Sequence, residues 1–268
     1  MTDTLDSPAA SPGPQAQAQP QPLDEISQAY VALAFGLDRH IPGAIDGYMG
    51  PDALRPDPDA PAPEPAFLLA QAEALLAGIE RADLPPARVD YLLAQATGMA
   101  TMCRKLVGEE IAYEDEVKLY FDVSPERTPE SAYTEAIAAL EDALPGDGTI
   151  GERMIAWRKQ YEIPVEAAKG IVPVIVDEIR RRTFAFAALP DGEAVELSFV
   201  QDKPWSGYNW YLGSNRSLIE INTDLPIKAN ALLDLMCHEG YPGHHTEHSL
   251  KEQLLYRDRG YGEHSILM

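Results

Sequence analysis

The eleven residues HEGYPGHHTEH, from His238 to His248, hold four of the chain's six histidines together with Glu239 and Glu247. Imidazole nitrogens and carboxylate oxygens are the donors a zinc ion takes from protein. A His-Glu pair closing an apolar helix is the first half of the H-E-x-x-H pattern, where histidines four apart share a helix face and the glutamate acts as general base. Here the pattern is interrupted, because Pro242 stands four residues after His238 and the next histidine, His244, comes six after it. On a straight helix six steps mean a rise of roughly 9 Å and a turn of about 120° away from the starting face, whereas two nitrogens on one zinc lie within about 4 Å.

The Pro-Gly pair offers the repair. Pro242 cannot donate to the carbonyl of His238 and its ring clashes there, while Gly243 accepts backbone angles that other residues avoid. A kink between the two histidines would return His244 to the side of His238, with Glu239 facing a water on the ion. Zinc would then acidify that water and polarise a carbonyl, and Glu239 would take the proton and hand it to the leaving amine. A second geometry stays open: a new helix opened by Gly243 would set His244 and His248 four apart with Glu247 beside them, the inverted H-x-x-E-H order.

The stretch HEGYPGHH resembles the H-E-x-x-P-G-H-H signature of the bacterial family catalogued as domain of unknown function 885, specifically over residues 238–245 and more loosely over the helical remainder. The resemblance implies a mainly helical, zincin-like fold and a zinc-dependent hydrolase, with His238 and His244 as metal ligands and Glu239 as the base. Such proteins continue beyond the motif and supply a further acidic ligand from a downstream helix. This chain ends at Met268, so a shortened relative is expected. Glu263, nineteen residues after His244, is the candidate third ligand, unless residues beyond the chain end supply it.

Those side chains need a scaffold, and the pattern of the rest of the chain describes one. Residues 1–22 are rich in Pro, Ala, Gln and Ser with almost no large apolar side chain, a composition expected to stay disordered. From there to about Leu189, apolar residues recur at three- and four-residue steps in five segments, 23–41, 65–82, 85–106, 128–144 and 164–189, which predicts a helical body over 23–190. The texture changes in EAVELSFV, YNWYLG and SLIEIN, which read as three strands of a small antiparallel sheet within 191–225. The last segment, 226–268, holds the motif helix, with Thr223 or Asp224 expected as its N-cap and Pro226 in its first turn. The whole is expected to be a single zincin-like domain, mainly α, spanning 23–268, with the strand before the motif helix available to hold an extended peptide by edge pairing.

The remaining polar residues have plainer roles. Asp234, one turn before His238, is a candidate to accept the proton of its other ring nitrogen. His245 is expected beside the ion rather than on it, His40 to be structural, and Cys237 to be a small buried residue. The run Arg180, Arg181 and Arg182 reads as a wet helix face.

Composition narrows the partners. With 43 acidic residues against 21 basic ones the formal charge is −22, which repels phosphate backbones and anionic membranes. Nucleic acid and membrane are therefore excluded as expected partners, and a peptide or small amide substrate remains. Two cysteines, far apart, argue against a disulfide framework, and the N-terminus has neither the basic nor the apolar region of a secretory signal, so a cytoplasmic setting is expected. Two alternatives to a zinc metallopeptidase stand: a non-catalytic or truncated metal-binding relative, and an acidic helical scaffold for a protein partner.

Overall fold

A computed structural model describes residues 23–268, and the reading of residues 1–22 as a tail lies outside the described residues. The chain is mainly helical with a small sheet, as its periodicity predicts. The first helix, α1 (Glu25–Asp38), is capped by Asp24, whose carboxylate accepts from the Ser27 amide at 2.8 Å. A two-residue strand β1 (Gly47–Tyr48) leads to α2 (Pro65–Arg81) and α3 (Pro86–Leu106), both opened by the proline that a first helical turn favours. Leu33 and Leu37 of α1, Leu68, Ala72, Leu75 and Ile79 of α2, and Leu92, Ala96 and Met99 of α3 recur at helical spacing and meet in one core.

Three shorter helices follow: α4 (Tyr113–Phe121), α5 (Glu130–Ala143) and α6 (Ile150–Lys159), none of which buries a residue. Of these only α5 shows a clear apolar period. The acid-rich α4, of nine residues, and α6, of ten, held at its start by a Thr149–Glu152 capping box, escape a pattern-based reading because two to three turns give an apolar period too little length to show.

The second core lies under a sheet. It gathers Ala168, Val172, Val176 and Ile179 of α7 (Val165–Thr183), Ile219 and Ile221 of the sheet, and Leu232 and Met236 of α8 (Ala229–Glu239). The strands are β2 (Ala194–Val200), β3 (Gly207–Gly213) and β4 (Arg216–Asn222), placed within two residues of the expected segments. Their directions correct the antiparallel expectation, because the order is β2-β4-β3, with β3 antiparallel to β4 and β2 parallel to it. Ser214 and Asn215, both at positive φ, close a tight β3–β4 hairpin. The connection from β2 must then cross the end of β4, which leaves the outer edge of β4 to β2. Alternating side chains mark which face is buried, not which way a strand runs.

After α8 the chain turns through Tyr241 and Pro242 into α9 (His244–Leu250), which winds on as a π-helical stretch, Lys251–Arg257. A final strand, β5 (Ile266–Leu267), pairs antiparallel with β1 and returns the chain end to the first core. Among the described residues no helix is long and apolar enough to cross a membrane.

Candidate metal centre

The helix carrying His238 and Glu239 starts later than its sequence indicates. Thr223 and Asp224 do not cap it: the Thr223 hydroxyl donates to the Val200 carbonyl at 3.0 Å and the Asp224 carboxylate accepts from the Asp202 amide at 2.5 Å. Ile227 and Lys228 are drawn into extended backbone instead, with the Ile163 amide bonded to the Ile227 carbonyl at 2.9 Å, so α8 begins at Ala229. Pairing with residues some sixty-five positions upstream outcompetes the local cap.

The break at the other end of α8 is the one the Pro-Gly pair predicts. Gly240 ends the helix with backbone angles of −106° and −99°, the Tyr241–Pro242 peptide is cis, and Gly243 precedes α9. Gly243 is required by crowding rather than by left-handed backbone: a Cβ there would stand 1.9 Å from the His238 carbonyl oxygen and 2.4 Å from that of Cys237. The fold thus brings the start of α9 against the last carbonyls of α8. The rings of His238 and His244 meet edge to face with centroids 4.7 Å apart, at an interplanar angle of 88°.

Glu239 completes the group. One ligand atom from each of His238, Glu239 and His244 lies within 4.8 Å of the other two. Tetrahedral zinc sets its ligand atoms roughly 3.3 Å apart, so a modest approach of His238 and His244 would let both reach one ion, with the Glu239 carboxylate beside it. Glu239 is only 6% exposed, yet among the described residues its carboxylate accepts no hydrogen bond; Asn209 of β3 holds the residue by its backbone carbonyl at 2.6 Å. Burial pushes the Glu239 carboxyl above the usual carboxylate range, and only the flanking His238 and His244 pull it back. Its carboxylate is thus left to a water or a cation rather than to a donor of the described residues.

His244 also belongs to a second group, with Glu247 and His248, whose ligand atoms lie within the same 4.8 Å. The His244 and His248 rings stack at 5.7 Å with planes 10° apart. His248 Nδ1 is buried without a hydrogen bond and stands 3.4 Å from a Glu247 oxygen. Both arrangements open in the sequence are therefore assembled around His244. An open groove of about 470 Å³, lined by Asp234, His238, Pro242, Gly243, His244 and Glu247, gives access to them. Asp234 stands exposed on its rim and, among the described residues, makes no hydrogen bond to His238.

Glu263 is not part of the centre, which corrects its candidacy as third ligand. It is fully buried at the first core, where its two oxygens take Arg88 Nε at 2.7 Å and Nη2 at 2.8 Å, and the Ser27 hydroxyl at 2.9 Å. Arg88, buried in α3, needs a counter-charge, and sequence spacing carries no sign of that demand.

Beneath the open group lies a network the sequence reading missed. His245 is fully buried, with Nε2 at 2.9 Å from Glu193 and Nδ1 at 2.9 Å from the Ser217 hydroxyl of β4. Glu193 also accepts from the Tyr241 hydroxyl and, at 2.6 Å, from Arg180. Farther along, Glu252 accepts from the Tyr211 hydroxyl at 2.5 Å, from Arg257 at 2.8 Å and from the Ser214 amide at 3.1 Å. These bonds share one geometry: Asn209, Tyr211 and Ser217 all project from the inner face of the sheet, and each reaches the segment 239–252. Of the arginine run, Arg180 is taken up by Glu193, while Arg181 and Arg182 form exposed pairs with Glu178. His40, as expected, has a structural partner, the Pro63 carbonyl at 2.6 Å. Cys237 is half-buried at the edge of the second core, and both cysteines are free thiols.

No family model, curated protein or solved structure matches the chain.

Proposed function

We propose that the chain is a zinc-dependent hydrolase of amide bonds in peptides or small amides, with His238 and His244 as metal ligands and Glu239 as general base. The observation that carries this reading is the Glu239 carboxylate, which takes no hydrogen bond from the described residues, set within 4.8 Å of two imidazoles that open onto a groove. A bound cation would supply Lewis acidity, lowering the pKa of a water and polarising the substrate carbonyl. Glu239 accepts the proton released when the water oxygen adds to that carbonyl. It returns the proton to the amide nitrogen as the C–N bond breaks, leaving a carboxylic acid and an amine.

A second reading uses His244, Glu247 and His248 for the ion, and the unpaired, buried Nδ1 of His248 favours it. Elemental analysis of untagged protein separates the two. Loss of one zinc equivalent in His238→Ala and His244→Ala, with His248→Ala unchanged, supports the first; loss in His248→Ala with retention in His238→Ala supports the second. Glu239→Gln is expected to keep its zinc and lose about 10²- to 10⁴-fold in turnover of a peptide library. Full activity in that variant removes the proposed base. Stoichiometric zinc with no hydrolysis of any library member points to a non-catalytic metal-binding protein. A zinc-free protein of unchanged stability points to an acidic scaffold.

A further inference from the structure

A cavity of about 410 Å³ opens beside the groove that holds the histidines, in the size range of small-ligand sites. Its walls come from Ile221 of β4, from Leu225 and Ile227 on the extended run before α8, and from α8 itself. The two spaces share Asp234 and His238. Along α8, Ala231, Leu235 and His238 follow at steps of four and three, so they form one stripe that begins in the cavity and ends at the metal group. His238 itself lines the cavity, so the near end adjoins the metal group and receives a side chain on a residue next to the cleaved carbonyl, while Ala231 lies roughly 10 Å farther along the helix. Leu225 remains 48% exposed at the mouth, an apolar surface that the described residues leave half uncovered.

Resting on the hydrolase reading, we infer that this cavity is a specificity subsite, and that the chain prefers amides bearing a large aliphatic or aromatic group, of the Leu or Phe kind, next to the bond it cleaves. The late start of α8 builds the site. Had the helix begun at Thr223 or Asp224, Leu225 and Ile227 would lie in its first turn. The extended backbone at Ile227 and Lys228 instead leaves a hollow between this run and the helix.

Hydroxamates bind a metal without being turned over, so they read the subsite separately from catalysis. Calorimetry of the zinc-loaded chain with 5-phenylpentanohydroxamate and acetohydroxamate is expected to show the first binding about 10- to 100-fold more tightly, the gain from burying one large apolar group. Ala231→Trp, at an exposed position that lines the cavity, is expected to bring that ratio below about threefold, and Leu225→Ala to lower it several-fold. Leu233→Trp, exposed on α8 and outside the cavity lining, is expected to leave the ratio as it was. Equal affinities in the unaltered chain, or a preference that survives Ala231→Trp, overturn the subsite while leaving the metal centre standing. Failure of both hydroxamates to bind would instead remove the metal centre, and the subsite with it.

Discussion

His244 and His245 are neighbours in the chain and opposites in the fold. His244 faces a groove beside His238 and Glu239, and among the described residues none of the three side chains has a hydrogen-bond partner. His245 is sealed among Glu193, Tyr241, Arg180 and Ser217, with both ring nitrogens occupied. Both groups set histidine beside glutamate, and the sealed one adds Arg180, Tyr241 and Ser217 as partners. What separates them is whether the donors are already used: a satisfied buried network fixes backbone geometry, whereas donors left free at a groove are available to a ligand. The sealed group holds the sheet and α7 against the start of α9, and so sets where the open group can form.

The step between the two groups is Gly243, and Gly243→Ala is the largest expected disruption. Its new Cβ would stand 1.9 Å from the His238 carbonyl oxygen, and the neighbouring atoms are backbone rather than a movable side-chain tip. A loss of about 4–5 kcal/mol, the upper tail for single substitutions, is expected in denaturant unfolding, together with loss of bound zinc. An alanine variant of near-native stability would show that the close approach of α9 to α8 is not what joins the histidines.

Next in size is the sealed group itself. Glu193→Ala removes the common acceptor of Arg180, Tyr241 and His245, and is expected to cost about 3–5 kcal/mol in urea unfolding. Tyr241→Phe removes one donor to that carboxylate and is expected to cost about 1–2 kcal/mol. Tyr241→Phe should still bind one zinc equivalent. If it unfolds as the unaltered chain does but no longer binds zinc, the division into a structural group and a ligand-binding group fails.

The sequence carries these two groups unequally. His238, Glu239, His244 and the kink between them are legible because the Pro-Gly pair acts locally, through a missing donor and a missing Cβ. The partner of His245 is not, since Glu193 lies 52 residues away and nothing near either residue signals the other. Strand positions follow from alternation, but the parallel β2–β4 pairing depends on which edge of the hairpin stays free, a property of the assembled sheet. The start of α8 shows the same limit: a plausible cap at Thr223 or Asp224 loses to backbone pairing with the segment before α7. The spacing of Glu263 from His244 is visible in the sequence, whereas its burial against Arg88 arises only in the folded core.

His264 sharpens the comparison from a third side, being buried like His245 yet lacking its partners. Its ring lies 4.6 Å from that of Tyr91, it is 6% exposed, and its Nδ1 has no hydrogen bond. Burial lowers its pKa to about 4, against the opposing attraction of Glu263. A histidine depressed in the folded state and ordinary in the unfolded one binds more protons when unfolded, so between those two pKa values stability rises with pH. The chain should therefore hold this contribution above about pH 6.5 and lose up to about 3 kcal/mol of it as pH falls towards 4. Urea midpoints taken at half-unit steps across that window would show the slope, and His264→Gln, which cannot take up the proton, should flatten its share. Because His264 is in neither metal group, zinc stoichiometry at neutral pH should be the same in that variant; an unchanged slope would mean that the ring is already solvated or charged in the folded chain.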